Sequence, residues 1–224
     1  MKHPRKIFSL LRKIVLPAFS GLFCLGMVAL LPLFSYGAPE EDEATRTNIT
    51  VTEEKMEGGR VAIRAVFRIE AQPRTVYETL KDIAEFPEFM PDTKEVQILE
   101  SGPGYHIANV LTENGLLLTR IVLKRIFSEA EYRISWYQVE GQAREVDGFW
   151  LVKGDREEEG SVVTFQSYVD AGPLIPKVVV REQIKKSICP MVASIEKRIE
   201  SGGTWKSKSF IERQRKGHRA DIRR

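Results

Sequence analysis

Four side chains on segments that read as strands could move protons: His106, Glu113, Tyr137 and Asp147. General acid–base chemistry needs such a group placed beside a partner that tunes its pKa. None of the four stands at a spacing that fixes a partner. The chain has no G-x-S-x-G turn, no paired-carboxylate motif and no glycine-rich phosphate loop. His106 is the one histidine between the two tails and Cys189 the one cysteine outside the N-terminal segment, so the usual zinc ligand set is missing. No catalytic residue, metal or cofactor is assigned on this reading. Apolar ligand binding asks for less: a concave apolar lining with a few polar groups to orient the ligand. The sequence supplies that in quantity. Trp136, Tyr137, Trp150 and Phe165 lie on strand segments, and Val180, Ile184, Ile188 and Met191 recur at helical spacing. Arg120, with Thr119, interrupts the apolar run "LLLTRIVL". It either holds a ligand carboxylate or phosphate through its planar fork or faces solvent.

The charge balance limits the partners. The formal net charge is +3, but residues 1–37 carry +5 and residues 201–224 carry +6, which leaves residues 38–200 at −8. An acidic body between basic ends argues against nucleic acid, whose binding domains concentrate positive charge. The basic C-terminal tail, with Trp205 and Phe210 among its cations, could meet an anionic membrane surface or remain a solvated end. At the other end "MKHPRKIFSLLRK" is basic and acid-free, and an apolar run Ile14–Phe34 leads to "SYGAPE". This reads as a secretory signal or an uncleaved membrane anchor over residues 1–37. Either places the remainder outside the cytoplasm, as in the periplasm of a bacterial envelope. Residues 38–57 read as an acidic linker, 58–201 as one folded domain and 202–224 as the tail.

The elements that must position these residues follow from periodicity. "VAIRAVFRIEA" alternates as a strand, and "QPRTVYETLKDI" reads as a helix with Pro73 in its first turn. "DIAEFPEFMP" is then too rich in proline to continue that helix and too apolar for a plain loop. Six strand segments follow at regular spacing, with turns at "GPG" and "ENG", which suggests one antiparallel sheet. The chain then changes period. Val180, Ile184, Ile188, Met191, Ile195 and Ile199 line one face of a long helix that opens at Pro176 and stops at Gly202-Gly203. A kink is expected at Pro190. The fold class is therefore α+β: a curved antiparallel sheet of about seven strands around a long C-terminal helix. Two short helices follow the first strand. Alternation alone does not settle which sheet face each strand residue occupies.

Over residues 58–200 the chain resembles the START-like superfamily, also called helix-grip or polyketide-cyclase-like. Within it the chain looks most like the coenzyme Q-binding and ribosome-association branch. Four stretches carry the likeness: "TVYETLKDIAEFPEFMP", "ISWYQVEG" with its Glu-Gly bulge, "VDGFWLV", and "VDAGPLIPKVVV" at the opening of the last helix. The resemblance implies a cavity between sheet and helix that holds a lipid, quinone or isoprenoid, and a role in carriage or transfer. Phe86, Phe89 and Met90 would then line or gate the mouth, or pack as ordinary core. It leaves open a cyclase- or hydratase-type enzyme acting on a polyketide-like substrate, and a protein-interaction module without a ligand.

Overall fold

The computed structural model describes residues 48–114, 117–155 and 159–221. The N-terminal signal or anchor expected over residues 1–37 lies outside them. Eight strands form one antiparallel sheet: β1 (Thr50–Lys55), β2 (Val61–Ile69), β3 (Thr93–Gly102), β4 (Tyr105–Asn114), β5 (Leu117–Ser128), β6 (Arg133–Gly141), β7 (Glu145–Gly154) and β8 (Ser161–Asp170). Their order is β1-β2-β8-β7-β6-β5-β4-β3. The helices are α1 (Pro73–Lys81), α2 (Phe86–Phe89), α3 (Lys177–Glu200) and α4 (Lys208–Asp221). This is the expected α+β helix-grip arrangement with one strand more than the sequence suggested. The extra strand is β1, which the acidic composition of residues 38–57 had hidden. It pairs with β2 from Thr50↔Val66 to Lys55↔Val61.

One face of the sheet is the interior. Cross-strand register aligns His106, Arg125, Trp136, Gly148, Ser167 and Ile63 in a single row across six strands. Because side chains alternate between faces, this row fixes the inward set on each of those strands. Beside it Ala65, Phe67, Ala108, Val110, Leu123, Ile134, Trp150, Val152 and Val163 are buried. Two glycines keep the curved sheet in this shape. At Gly141, φ is 144° and a Cβ would come 2.8 Å from the Arg120 carbonyl. It ends β6 at the bulge where the β5–β6 register slips between Val122 and Leu123. At Gly148 a Cβ would sit 2.5 Å from the Trp136 ring, so the missing side chain lets the indole lie across β7.

The helices close this face unevenly. Along α1, Val76, Tyr77 and Leu80 turn inward. Its end is held by Arg125 of β5, a residue only 2% exposed. Nη2 donates to the Leu80 carbonyl (2.6 Å) and Nη1 to the Lys81 carbonyl (2.9 Å). The last carbonyls of a helix have no partner within it and carry its negative end. A buried cation from the sheet therefore satisfies them. The chain then breaks into a turn at Ile83–Glu85, where Asp82 accepts from the Ala84 N–H (3.2 Å), and into α2, which places Pro87 in its first turn. Along α3, no residue from Lys177 to Ser187 is buried, whereas Ile188, Val192, Ile195 and Arg198 beyond them are. The two halves meet at Pro190, which the helix carries through on its exposed side.

The basic tail is also structured. Ser207 caps α4 by accepting from the Phe210 N–H (3.2 Å) and donates its own N–H to the Glu88 carbonyl (2.8 Å). Arg213 donates to the Pro87 carbonyl (2.7 Å). Arg198, buried near the end of α3, donates to the Trp205 carbonyl (2.8 Å) and pairs with Glu85 (2.8 Å) and Glu88 (3.1 Å). The tail thus folds back onto α2.

Replacing Arg125 with methionine keeps an apolar stem and leaves two helix-terminal carbonyls without their donor. The R125M variant should lose roughly 2–4 kcal/mol of unfolding free energy, measured by urea titration, whereas R120M on the outer face should change it by less than about 0.5 kcal/mol.

Candidate functional site

The interior face carries an aromatic cluster opposite the loosely packed half of α3. Trp136 of β6 stacks on Phe165 of β8, with centroids 6.0 Å apart and planes at 28°. Trp150 of β7 meets Phe165 at 4.5 Å, Trp136 at 6.2 Å and Phe67 at 6.4 Å. Trp150 and Phe67 are buried, but Trp136 and Phe165 are only half-buried although they point inward. Val180, Ile184 and Met191 of α3 are likewise half-buried. These side chains therefore keep part of their surface exposed, whereas Ile188, Val192 and Ile195 of the same helix are buried. Beside the aromatic cluster Gln138 donates from Nε2 to the Ala143 carbonyl (2.8 Å).

The β8–α3 junction stands out into solvent. Asp170 accepts from the Gly172 N–H (2.9 Å) and holds Lys177 at 3.7 Å and Arg144 at 3.9 Å. This fixes the turn that presents "PLIPKVVV". Leu174 is 93% exposed, Val178 55% and Val179 52%. Such a cluster of apolar side chains in water marks a contact surface more often than a solvated loop.

The sequence-derived site divides on this geometry. Trp136, Trp150 and Phe165 lie on the inner face of the sheet; Trp150 and Ile188 are core, Trp136, Phe165, Ile184 and Met191 pack against that core half-buried, and Val180 is half-buried on α3. Arg120 and Tyr137 point instead to the outer face, where Arg120 pairs with Glu95 (3.3 Å) and Tyr137 is 42% exposed. The run around Arg120 is apolar on both faces, so alternation gave no way to assign it. Phe86, Phe89 and Met90 are buried and belong to the core cluster, with Arg198 over the Phe89 ring and Arg125 over Phe86. The proline breaks turn these side chains inward and do not hold them at an opening. Cys189 is exposed.

Sequence reasoning missed the charged end of the row. His106 and Arg125 are cross-strand partners on the inner face, Arg125 Nη1 lying 3.3 Å from His106 Nε2. Arginine only donates, so Nε2 must accept, and the ring proton sits on Nδ1. Burial, and then the charge of Arg125, push the imidazole pKa down to about 4. Burial also pulls the Arg125 guanidinium down to about 9, opposed by Asp82 and Tyr77, so it remains charged at neutral pH. The signal was present: Ile121, Leu123, Arg125 and Phe127 alternate on one face of β5. No cluster of three or more metal-ligating side chains occurs among the described residues.

The comparisons with known proteins follow this architecture. Residues 69–196 match the model of the "Polyketide cyclase / dehydrase and lipid transport" family. The chain belongs to that family. A search of curated proteins finds no match. Among solved structures, a protein of Thermus thermophilus aligns at TM-score 0.58 and 15% identity, covering 64% of this chain and 99% of that one. A STAR-related lipid transfer protein fragment from Xanthomonas axonopodis aligns at 0.57 and 17%, covering 68% and 93%. The Zhui aromatase/cyclase from a Streptomyces species aligns at 0.55 and 17%, covering 62% and 93%. At these identities the structural overlap shows the fold alone, which is START-like, and lipid-transfer and cyclase proteins both share it.

Two predictions follow from the row. In G148A the added methyl meets the Trp136 ring and the Gln166 carbonyl, so it should destabilise by about 1–3 kcal/mol and shift Trp fluorescence. For His106 the unfolded imidazole takes its proton near pH 6.5 and the folded one near 4. Between these values the unfolded state binds more protons, so stability rises with pH through that window and is level above it. The slope of unfolding free energy from pH 4 to 6.5 should be shallower in H106Q than in the wild type.

Proposed function

We propose that this protein binds one apolar molecule, such as a lipid, quinone or isoprenoid, between the sheet and the first half of α3. It shields or moves that molecule in the cell envelope without transforming it. The observation that carries this reading is the half-open aromatic face of Trp136 and Phe165 set against the loosely packed first half of α3. Burying two aromatic faces and an aliphatic helix stripe against a ligand is favourable at about 25 cal/mol per Å² of apolar surface. The family description, which includes lipid transport, supports it. The exposed tip of Leu174, Val178 and Val179 beside the opening gives a route for an apolar ligand to pass to and from a bilayer. The flanking Lys177 and Arg144 suit an anionic surface, as do the cations on the exposed side of α4, Lys208, Arg215 and Lys216. The envelope location rests on the basic and apolar N-terminal sequence.

A second reading is a cyclase-type enzyme, favoured by one observation: His106 and Arg125 bring a neutral imidazole and a cation together on the inner face. With Nε2 engaged and its pKa low, His106 is a poor general base at neutral pH, so carriage is preferred.

Native mass spectrometry of protein purified from envelope membranes, followed by organic extraction, should reveal a co-purifying apolar molecule. W136A should retain less of it. L174D/V178D should leave the melting temperature within about 2 °C, since exposed substitutions change stability little, yet slow ligand exchange with anionic vesicles several-fold. Protein that is ligand-free and takes up no fluorescent lipid would overturn carriage.

A further inference from the structure

A second concave region lies outside the aromatic space, against the C-terminal end of α1. Two adjoining hollows of about 520 and 390 Å³ share Lys81, His106 and Phe127 as walls. Ile98 lies on the rim of one and Tyr105 on the rim of the other. At their junction stands His106. Its Nε2 accepts from Arg125, and its ring meets Phe127 edge-on at 4.8 Å, so the ring is held on two sides. Among the described residues its Nδ1 has no hydrogen-bond partner, and that atom is not fully buried. The open space beside His106 is the pair of hollows that it lines. The cleft thus offers a fixed neutral N–H beside apolar surface from Phe127 and Ile98.

The charges around it select what that N–H can hold. Glu78, Asp82, Glu85 and Glu129 line the two hollows against Lys81 and Arg198. Both cations are already engaged, Lys81 by Glu129 at 2.8 Å and Arg198 by Glu85 and Glu88. A ligand carboxylate or phosphate would meet excess negative charge. An uncharged acceptor would not. We propose that this cleft is a second binding site, for an uncharged carbonyl (ester, amide or ketone) carried on an apolar chain, with His106 Nδ1–H donating to the carbonyl oxygen. The site does not depend on carriage in the aromatic space. Arg125 has a double role here: it holds the end of α1 and fixes the tautomer that presents the donor.

The test follows His106 by imidazole ¹H–¹⁵N spectroscopy in the ¹⁵N-labelled full chain at pH 7.5, with H106F assigning the signal among the three histidines. The wild type is expected to show the Nδ1–H tautomer. Methyl octanoate should move that resonance saturably, and octanoate should bind there at least five-fold more weakly. In H106F, backbone amides of Gly104 and Phe127 should report a five- to ten-fold loss of ester affinity, the worth of one neutral hydrogen bond. An Nε2–H tautomer, octanoate binding as well as the ester, or undiminished ester affinity in folded H106F would overturn the proposal. An ester that binds while His106 stays unmoved would also overturn it, and would leave the carrier reading standing. The wild-type spectra decide the matter even if H106F does not fold.

Discussion

One buried cation sets the geometry of the inner face. Arg125 rises from the middle of the sheet, and two backbone carbonyls at the end of α1 accept hydrogen bonds from it. Burying an isolated charge is costly unless donors and acceptors are matched. Here the match is with the negative end of a helix, and the rings of Phe86 and Phe127 lie on the cation as well. Because α1 must end where Arg125 can reach it, the turn at Asp82, the position of α2 and the start of β3 follow. The same residue separates the aromatic space, through its neighbour Trp136, from the cleft at His106, its neighbour on the other side.

Much of this architecture was legible in the sequence because it rests on periodicity. Alternation gave seven strands, and the spacing from Val180 to Ile199 gave the long helix between Pro176 and Gly202. Two elements escaped. β1 is acidic and largely exposed, so its pairing edge rather than an apolar face makes it a strand. α4 is basic, and its helix is fixed by contacts with α2 that no local pattern announces. Composition alone made both look like solvated chain.

The site was legible only in part, and the reason is physical. Inward-facing aromatics could be named because Trp136, Trp150 and Phe165 are rare and bulky. Their facing could not be derived from alternation, since a one-residue slip exchanges faces. Arg120 and Arg125 illustrate this. They lie five residues apart on one strand and therefore on opposite faces. Phe86, Phe89 and Met90 show the converse, where a broken local conformation suggested an opening and tertiary packing filled it. His106 was set aside for want of a sequence neighbour, yet its partner is nineteen residues away, directly across the hairpin.

The proline within α3 has a mechanical consequence. Pro190 offers no N–H to the Lys186 carbonyl, so the helix lacks one rung of its ladder where buried packing gives way to open packing. On the C-terminal side the helix is moored by Ile188, Val192, Ile195 and the Arg198 network. On the N-terminal side it is tied down mainly by ion pairs to Glu53 of β1, from Lys185 at 2.8 Å and Arg181 at 3.5 Å. The helix is therefore a lever with a fixed arm and a weakly latched one. Lifting that arm would break these two solvent-screened pairs, the Lys177–Asp170 pair and the half-buried packing of Ile184. Rising salt should loosen this latch long before it affects the sheet.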